Sequence, residues 1–261
     1  MSASSVFFLA FGIVCLSAGG AWLWHLKLKN AGVIDIVWGL NLAVAAVVYA
    51  VFSHGWAPRR IAIAAMVSLT GVRLSYYLGR RVLSHPEEGR YVALREEWGG
   101  NIELKFLGFF LFQAVLVGLL SMPYLLASQN ATEAFQPLEF LALGLFLAGF
   151  VGESTADAQL KAFKADATNR GKTCRAGLWN YSRHPNYFFE WVMWLSYFVY
   201  ACASPWGWAT AYAPALMLHF LLNVTGVKIT EEQCLRSRGE DYAKYQRDVS
   251  MFVPLPQRKA P

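Results

Sequence analysis

Long apolar stretches separated by shorter polar segments dominate the pattern of residues along the chain. Each stretch is close to the roughly 20 residues that a helix needs to cross a bilayer. The last two are separated only by Ser204-Pro205, and because proline breaks a helix we expect a tight helical hairpin there. The pattern therefore predicts seven spanning helices near residues 5–24, 31–52, 61–79, 106–127, 137–156, 186–203 and 206–225.

The composition supports a location in the membrane. Hydrophobic residues make up 56% of the 261 residues and charged residues only 15%, whereas a soluble domain has about 25% charged residues. This balance excludes the soluble, disordered and collagen-like classes. We therefore predict an all-α fold, a multi-pass transmembrane helical bundle that forms a single membrane domain over residues 1–261.

The positions of Lys and Arg predict an orientation. With the N-terminus outside, 20 of the 23 basic residues fall on the cytoplasmic side, while Arg59 and Arg60 lie outside and Arg73 lies within a span. Because cytoplasmic loops carry an excess of basic residues, we expect an external N-terminus and a cytoplasmic C-terminus. The net charge of +6 is then a feature of topology, and we expect no nucleic-acid partner. The cytoplasmic segments are residues 25–30, 80–105, 157–185 and 226–261.

The cysteines do not predict a metal site. Cys15, Cys174, Cys202 and Cys234 show neither a Cys-x-x-Cys pair nor the spacing of metal ligands. We interpret them as unpaired packing residues.

Ionisable side chains within the predicted spans are unexpected, because each costs a few kcal/mol in the bilayer core. Asp35 lies near the start of the second span, and Arg73, Tyr76 and Tyr77 lie in the third. A structural interpretation has Asp35 pair with Arg73 and pin two helices together, with the tyrosines as aromatics of the membrane interface. A functional interpretation places these groups in a site.

The segment from Gly177 to Glu190 contains several side chains that could bind a ligand. A basic turn ends at Pro185, which suits the first turn of a helix, and Asn186 and Glu190 then share one face at i,i+4 spacing. A primary amide ligand needs both a donor and an acceptor, which Asn and Glu side chains supply. Glu153 and Asp157, four residues apart at the end of the fifth span, add two more acids.

These residues carry a resemblance to a known family. The chain resembles the steroid 5-alpha-reductase family of membrane enzymes (3-oxo-5-alpha-steroid 4-dehydrogenases), in particular bacterial homologues, over roughly residues 150–255. The matching motifs are Arg183-His184-Pro185-Asn186-Tyr187 with Glu190, Glu231-Glu232, Gly239-Glu240-Asp241-Tyr242, Tyr245 and Val253-Pro254.

The resemblance implies an NADPH-dependent reductase of the carbon–carbon double bond in a 4-en-3-one steroid or related lipid enone. Asn186 and Glu190 would hold the nicotinamide carboxamide, and a basic loop would face the pyrophosphate and the 2′-phosphate. Residues 1–127 would form the substrate-binding spans and residues 128–261 the cofactor-binding portion. The implied cofactor-binding residues are Asn186, Glu190, Arg183, Tyr181, Glu153, Asp157, Lys161, Lys164, Arg170, Lys172, Arg175 and Glu231.

The same resemblance implies the catalytic groups and the surroundings. Tyr77 on the third span would donate to the ketone oxygen, with Asp35 as the acid on the second span, and Tyr76 is the alternative phenol. The substrate, a flat apolar steroid or isoprenoid enone, would enter from the membrane lipid. The protein would be an integral, multi-pass protein, of the inner membrane if it is bacterial, with its active site open to the cytoplasm.

Two alternatives remain open. Isoprenylcysteine and phospholipid methyltransferases share an Arg-His-Pro-x-Tyr element and a Glu-containing basic tail, but they bind S-adenosylmethionine. They usually carry a small residue and then Gly where this chain has Asn186 and Phe189. A non-enzymatic membrane protein is the second alternative, although no internal repeat typical of transporters is evident. For the basic residues, positive-inside topology alone is the competing explanation.

Overall fold

The structure, a computed structural model, describes residues 1–257. This part of the chain contains no β-strand, and its α-helices account for most of the residues. The prediction of an all-α, multi-pass membrane protein is confirmed. The helices are α1 (Ala3–Leu28), α2 (Val33–Phe52), α3 (Ala57–Ser84), α4 (Gly89–Trp98), α5 (Ile102–Leu120), α6 (Met122–Gln129), α7 (Pro137–Ala165), α8 (Pro185–Ala201), α9 (Tyr212–His219), α10 (Val227–Arg238) and α11 (Glu240–Asp248).

Six helical segments of the described chain are long and apolar enough to cross a membrane. The remaining predicted span, 186–203, coincides with α8, which has 17 residues. At a rise of 1.5 Å per residue, α8 is about 26 Å long, at the short end for a spanning helix. The six segments are α1, α2, α3, the stretch Ile102–Gln129, α7 and the stretch Gly207–Arg238.

Three details differ from the predicted spans. The fourth span divides into α5 and α6 at Ser121, just before Pro123, which cannot continue the helical hydrogen-bonding pattern. The polar segment 80–105 contains the additional helix α4. Helix α7 runs nine residues past the predicted end at 156, so Lys161 and Lys164 lie on a helix and not in a loop.

Contacts divide the described chain into two compact units. The N-terminal unit comprises Met1–Gln136 and Tyr200–Thr210, and the C-terminal unit comprises Pro137–Val199 with the chain from Ala211 onward. The first division falls after Gln136.

In the N-terminal unit, α2 and α3 approach each other closely at two glycines. A Cβ atom at Gly39 would lie 2.9 Å from the carbonyl oxygen of Gly71, and one at Gly71 would lie 2.4 Å from the carbonyl oxygen of Gly39. Ser75 Oγ donates to the carbonyl of Ile36 at 2.7 Å in the same interface. Glycine is therefore required at both positions for the backbones to pack at this distance.

In the C-terminal unit, glycines also determine how α7 meets α8. A Cβ atom at Gly152 would lie 2.4 Å from the ring of Phe189, and one at Gly149 would lie 2.6 Å from Cγ of Met193. Both distances are too short for real atoms, so α8 packs directly on the bare backbone of α7. This interface brings together the two helices that carry six of the twelve predicted cofactor-binding residues, Glu153, Asp157, Lys161, Lys164, Asn186 and Glu190.

Candidate cofactor site

An amide and a carboxylate meet at the interface of α7 and α8. Asn186 Nδ2 on α8 donates to Asp157 Oδ1 on α7 at 3.4 Å. Asn186 Oδ1 is buried and accepts no hydrogen bond within residues 1–257. Glu153, one turn before Asp157 on α7, is buried at 8% exposure, and Glu190 is half-buried one turn after Asn186. The structure therefore brings Asn186 and Asp157 into contact across the α7–α8 interface.

The start of α8 is fixed by the residues just before it. Pro185 occupies the first helical position, where its missing N–H costs nothing. Ser182 Oγ accepts from the backbone N–H of His184 at 3.1 Å and donates to the carbonyl of Phe252 at 2.7 Å. Arg183 N–H donates to the carbonyl of Ser250 at 2.8 Å. The C-terminal tail thus holds the turn that leads into Asn186.

The side chains of Arg183 and Glu231 bind each other and do not point into an open cavity. Arg183 Nε and Nη2 donate to the two Glu231 oxygens at 2.8 and 3.1 Å, and Arg183 Nη1 donates to the carbonyls of Gln246 and Val249, both at 2.8 Å. The two predicted cofactor contacts are therefore used within the chain. Tyr181 is exposed, and its backbone carbonyl accepts from the N–H of Leu255 at 2.9 Å.

A cavity of about 410 Å³ lies where α7 ends and the following loop begins. Three of the predicted cations line it: Lys164, Arg170 and Lys172. None of the three forms an ion pair within the described chain. The other lining residues are Leu160, Phe163, Asp166, Ala167, Asn169, Gly171, Cys174 and Arg238.

The electrostatics of this cavity favour an anion, since four cations face a single carboxylate. That carboxylate, Asp166, accepts from the side chain and the backbone N–H of Thr168 at 2.7 and 2.9 Å. These bonds hold the pKa of Asp166 below its usual value. Burial raises the pKa of the Cys174 thiol, which keeps it neutral. The cavity is therefore a positively charged site with room for a phosphate-bearing group.

Two predicted cations lie elsewhere. Arg175 Nη1 pairs with Asp248 Oδ2 at 3.0 Å, and its guanidinium lies 5.1 Å from the centre of the Tyr245 ring. Lys161 is exposed on α7 and does not line the cavity. The predicted basic loop thus separates into cations around the cavity and cations outside it.

Asp35, in the N-terminal unit, has different partners from those expected. It accepts from Tyr91 Oη at 2.8 Å and forms an ion pair with Arg90, both on α4. The cation beside Asp35 is therefore Arg90 and not Arg73. Tyr77 is 60% exposed and forms no hydrogen bond within the described residues. The structure does not join Tyr77 to Asp35, and their catalytic pairing stays a prediction.

Tyr91 is the phenol that Asp35 binds. It is 1% exposed, and burial together with the nearby Asp35 carboxylate raises its pKa well above the usual value. Its ring packs in the core against Phe106 and Phe109. The Asp35–Tyr91 bond therefore connects α2 to α4 within the core of the N-terminal unit.

We expect Tyr91→Phe to destabilise the protein by about 1–3 kcal/mol, because it leaves a partly buried carboxylate oxygen without its donor. Unfolding in detergent, followed by tryptophan fluorescence, measures this change. Tyr76→Phe and Tyr77→Phe remove exposed hydroxyls and are matched controls that should leave stability unchanged. Equal stability of all three variants would contradict a structural role for the Asp35–Tyr91 bond.

Comparison with known proteins identifies the family. A family model described as "Protein of unknown function (DUF1295)" matches residues 21–249. The chain belongs to this family. A curated relative, "Uncharacterized protein C594.04c" of Schizosaccharomyces pombe, is 29% identical over 210 residues, which are 70% of this chain. The chain spans 61% of the length of that relative. No solved structure matches.

Two residues of this protein, Arg238 and Tyr91, were not predicted from the sequence. Arg238 lines the cavity from the last turn of α10, where its Nη1 donates to Cys234 Sγ at 3.4 Å. Its only sequence signal is a basic residue before Gly239, a glycine that ends the helix with positive φ. Tyr91 was missed because its segment was interpreted as a polar connection, although its neighbour Val92 and the pattern around it are compatible with a helix.

Proposed function

We propose that the protein is a membrane-embedded, NADPH-dependent reductase of the carbon–carbon double bond of a 4-en-3-one steroid or related lipid enone. The observation that carries the proposal is the basic cavity at the end of α7. Sequence resemblance predicted cations for a phosphate-rich cofactor, and three of them, Lys164, Arg170 and Lys172, surround one cavity together with Arg238.

The charge of the cavity favours a dinucleotide over S-adenosylmethionine. NADPH carries a pyrophosphate and a 2′-phosphate, and cationic side chains bind such groups through charge-assisted hydrogen bonds. S-adenosylmethionine has no phosphate and carries a positive sulfonium, and its single carboxylate offers four cations much less negative charge than the three phosphates of NADPH. The cavity thus supports the reductase over the methyltransferase.

The α7–α8 interface is suited to the nicotinamide end. Asn186 Oδ1 is a buried acceptor without a donor, and a buried polar atom of this kind costs about 1–3 kcal/mol until a partner arrives. The NH₂ group of a carboxamide is such a partner. Glu190, one turn after Asn186 on α8, and Asp157, opposite it on α7, are further acceptors for the same NH₂ group.

The chemistry needs a hydride and a charge stabiliser. NADPH supplies the hydride when bound. A phenol of this chain would donate a hydrogen bond to the ketone oxygen, where negative charge develops as the β carbon takes the hydride. The α carbon of the resulting enolate would then take a proton from water, which completes the reduction. We assign the phenol role to Tyr77, whose hydroxyl is not used within the described chain.

We expect Asn186→Ala and Glu190→Gln each to raise the Kd for NADPH about tenfold. The first removes a hydrogen bond to the carboxamide, and the second removes the charge that strengthens one. Quenching of tryptophan fluorescence in detergent measures the affinity. Gln233→Ala removes an exposed amide on α10 that does not line the cavity and is the matched control. Unchanged affinity in both site variants would argue against the nicotinamide assignment.

The activity itself is tested with the purified protein, NADPH and a panel of enone steroids, followed by loss of the reduced-nucleotide absorbance. Consumption that requires an enone supports the proposal. Binding of S-adenosylmethionine in place of NADPH would support the methyltransferase, and binding of neither would favour a non-enzymatic membrane protein.

The proposed orientation places the cavity on the cytoplasmic side. A fluorescent reporter fused after residue 261 should fold and fluoresce in the cytoplasm, because the last basic segment follows the positive-inside rule. A fusion after Ser53, in the connection between α2 and α3, should be external and dark. The reverse pattern would overturn the external N-terminus and the cytoplasmic site.

A further inference from the structure

The carboxylate of Glu231 on α10 is the centre of a hydrogen-bond network. Oε1 accepts from Arg183 Nε, His184 Nε2 and Tyr242 Oη, all at 2.8 Å. Oε2 accepts from Arg183 Nη2 at 3.1 Å and from Gln246 Nε2 at 2.5 Å. Four side chains thus converge on one carboxylate that is only 13% exposed.

This network leaves Glu231 no capacity to bind a ligand. An ionised carboxylate offers about four lone-pair sites, and all of them are occupied by the chain. Arg183, its main partner, has likewise committed four hydrogen bonds to protein acceptors. Glu231 therefore acts on other residues and not on a cofactor directly, and Arg183 keeps one of its five N–H donors.

The network ends at the start of α8. Arg183 and His184, both held by Glu231, immediately precede Pro185, the first residue of the helix, and Asn186 follows directly. The His184 ring lies parallel to the ring of Tyr187, with centroids 5.7 Å apart. Any change in how Glu231 holds this turn therefore changes where the first turn of α8 places Asn186.

We infer that Glu231 is a positioning residue: through Arg183 and His184 it fixes the first turn of α8 and so orients Asn186 and Glu190 toward the nicotinamide carboxamide. The inference rests on the proposed function. It replaces the sequence-based assignment of Glu231 as a direct cofactor contact with an indirect role. It also predicts that a change at Glu231 weakens binding of the nicotinamide end of the dinucleotide and not of the phosphate-rich end.

Glu231→Gln is the informative change because it keeps the shape and reverses part of the hydrogen bonding. The new NH₂ group is a donor that faces the donors Arg183 Nη2 or Gln246 Nε2. The turn before α8 loses its anchor, while the cavity cations Lys164, Arg170 and Lys172 are untouched. The matched control is Glu232→Gln, whose carboxylate is exposed and, among residues 1–257, forms an ion pair with Arg236 alone, at 3.4 Å.

The experiment measures two ligands in detergent-solubilised full-length protein: NADPH and adenosine 2′,5′-bisphosphate, which has the phosphate-rich end but no nicotinamide. We expect Glu231→Gln to raise the Kd for NADPH about tenfold and to leave the Kd for the bisphosphate unchanged. Hydrogen exchange of the peptide covering the first turn of α8 should become faster. Glu232→Gln should match the wild type in every measurement.

The outcomes separate the inference from the function on which it rests. Wild-type protein that binds neither ligand refutes the proposed function, and exchange in α8 then tests the anchoring alone. If the wild type binds both ligands and Glu231→Gln weakens both equally or neither, the positioning role is overturned and the function stands. If Glu231→Gln does not fold, Tyr242→Phe removes one of the five hydrogen bonds and should give a smaller change of the same pattern, whereas wild-type affinity and exchange would overturn the inference.

Discussion

A protein with both Arg170→Gln and Lys172→Gln is expected to bind NADPH about a hundredfold more weakly, because two charge-assisted hydrogen bonds to phosphate are lost. Both side chains line the cavity and have no ion-pair partner in the described chain, so their removal leaves no buried charge behind. The loss should be smaller for NADH, which lacks the 2′-phosphate. Fluorescence quenching with the two nucleotides measures the difference.

The control has the same change of net charge outside the cavity. Lys161→Gln with Lys244→Gln removes two exposed cations that do not line it, and we expect unchanged affinity for both nucleotides. If the two double variants weaken NADPH binding equally, the basic residues act through topology or general charge and not through the cavity.

The second large effect concerns the hydroxyl of Tyr77. Tyr77→Phe should lower turnover of an enone roughly 100- to 1,000-fold, because a positioned donor to the developing oxyanion contributes roughly 3–4 kcal/mol. The affinity for NADPH should stay the same, since the phenol acts on the substrate. Steady-state rates with saturating NADPH, measured beside the cofactor Kd, distinguish the two effects.

The neighbouring tyrosines provide the comparison. Tyr76, 66% exposed and 3.5 Å from Arg80 Nη1, should tolerate replacement by Phe without loss of turnover. A loss in Tyr76→Phe alone would shift the donor role by one residue along α3. A loss confined to Tyr91→Phe, at normal stability, would transfer the role to the phenol that Asp35 binds.

Hydropathy predicted the membrane helices because their signal lies within each segment. It placed the end of α7 too early, since apolar character falls at Glu153 while the helix continues to Ala165. The extension contains Ala, Gln, Leu and Lys, which favour helix without being apolar enough for a span. Lys164 lies at the cavity because of this extension. The sequence therefore predicted Lys164 as a candidate residue but did not predict that it lies on a helix.

Local patterns could not predict contacts between distant segments. Asn186 and Glu190 were identifiable from their i,i+4 spacing. Glu231, in contrast, lies 48 residues from Arg183, and only the fold shows that four side chains donate hydrogen bonds to its carboxylate. The same holds for Asp35, whose phenol partner is 56 residues away. In both cases the residue type suggested a ligand or substrate contact, whereas tertiary packing supplied a partner from the chain.

The bare backbone of α7 at Gly149 and Gly152 has a consequence for the neighbouring polar groups. With no side chains there, α8 sits at its minimum distance from α7, and that distance sets how far Asn186 is from Asp157. A methyl group at either glycine would act as a wedge and widen the amide–carboxylate gap. The distance between Asn186 and Asp157 therefore depends on two positions that have no functional group. Substitutions at these glycines can change which ligand is preferred while every polar residue stays the same.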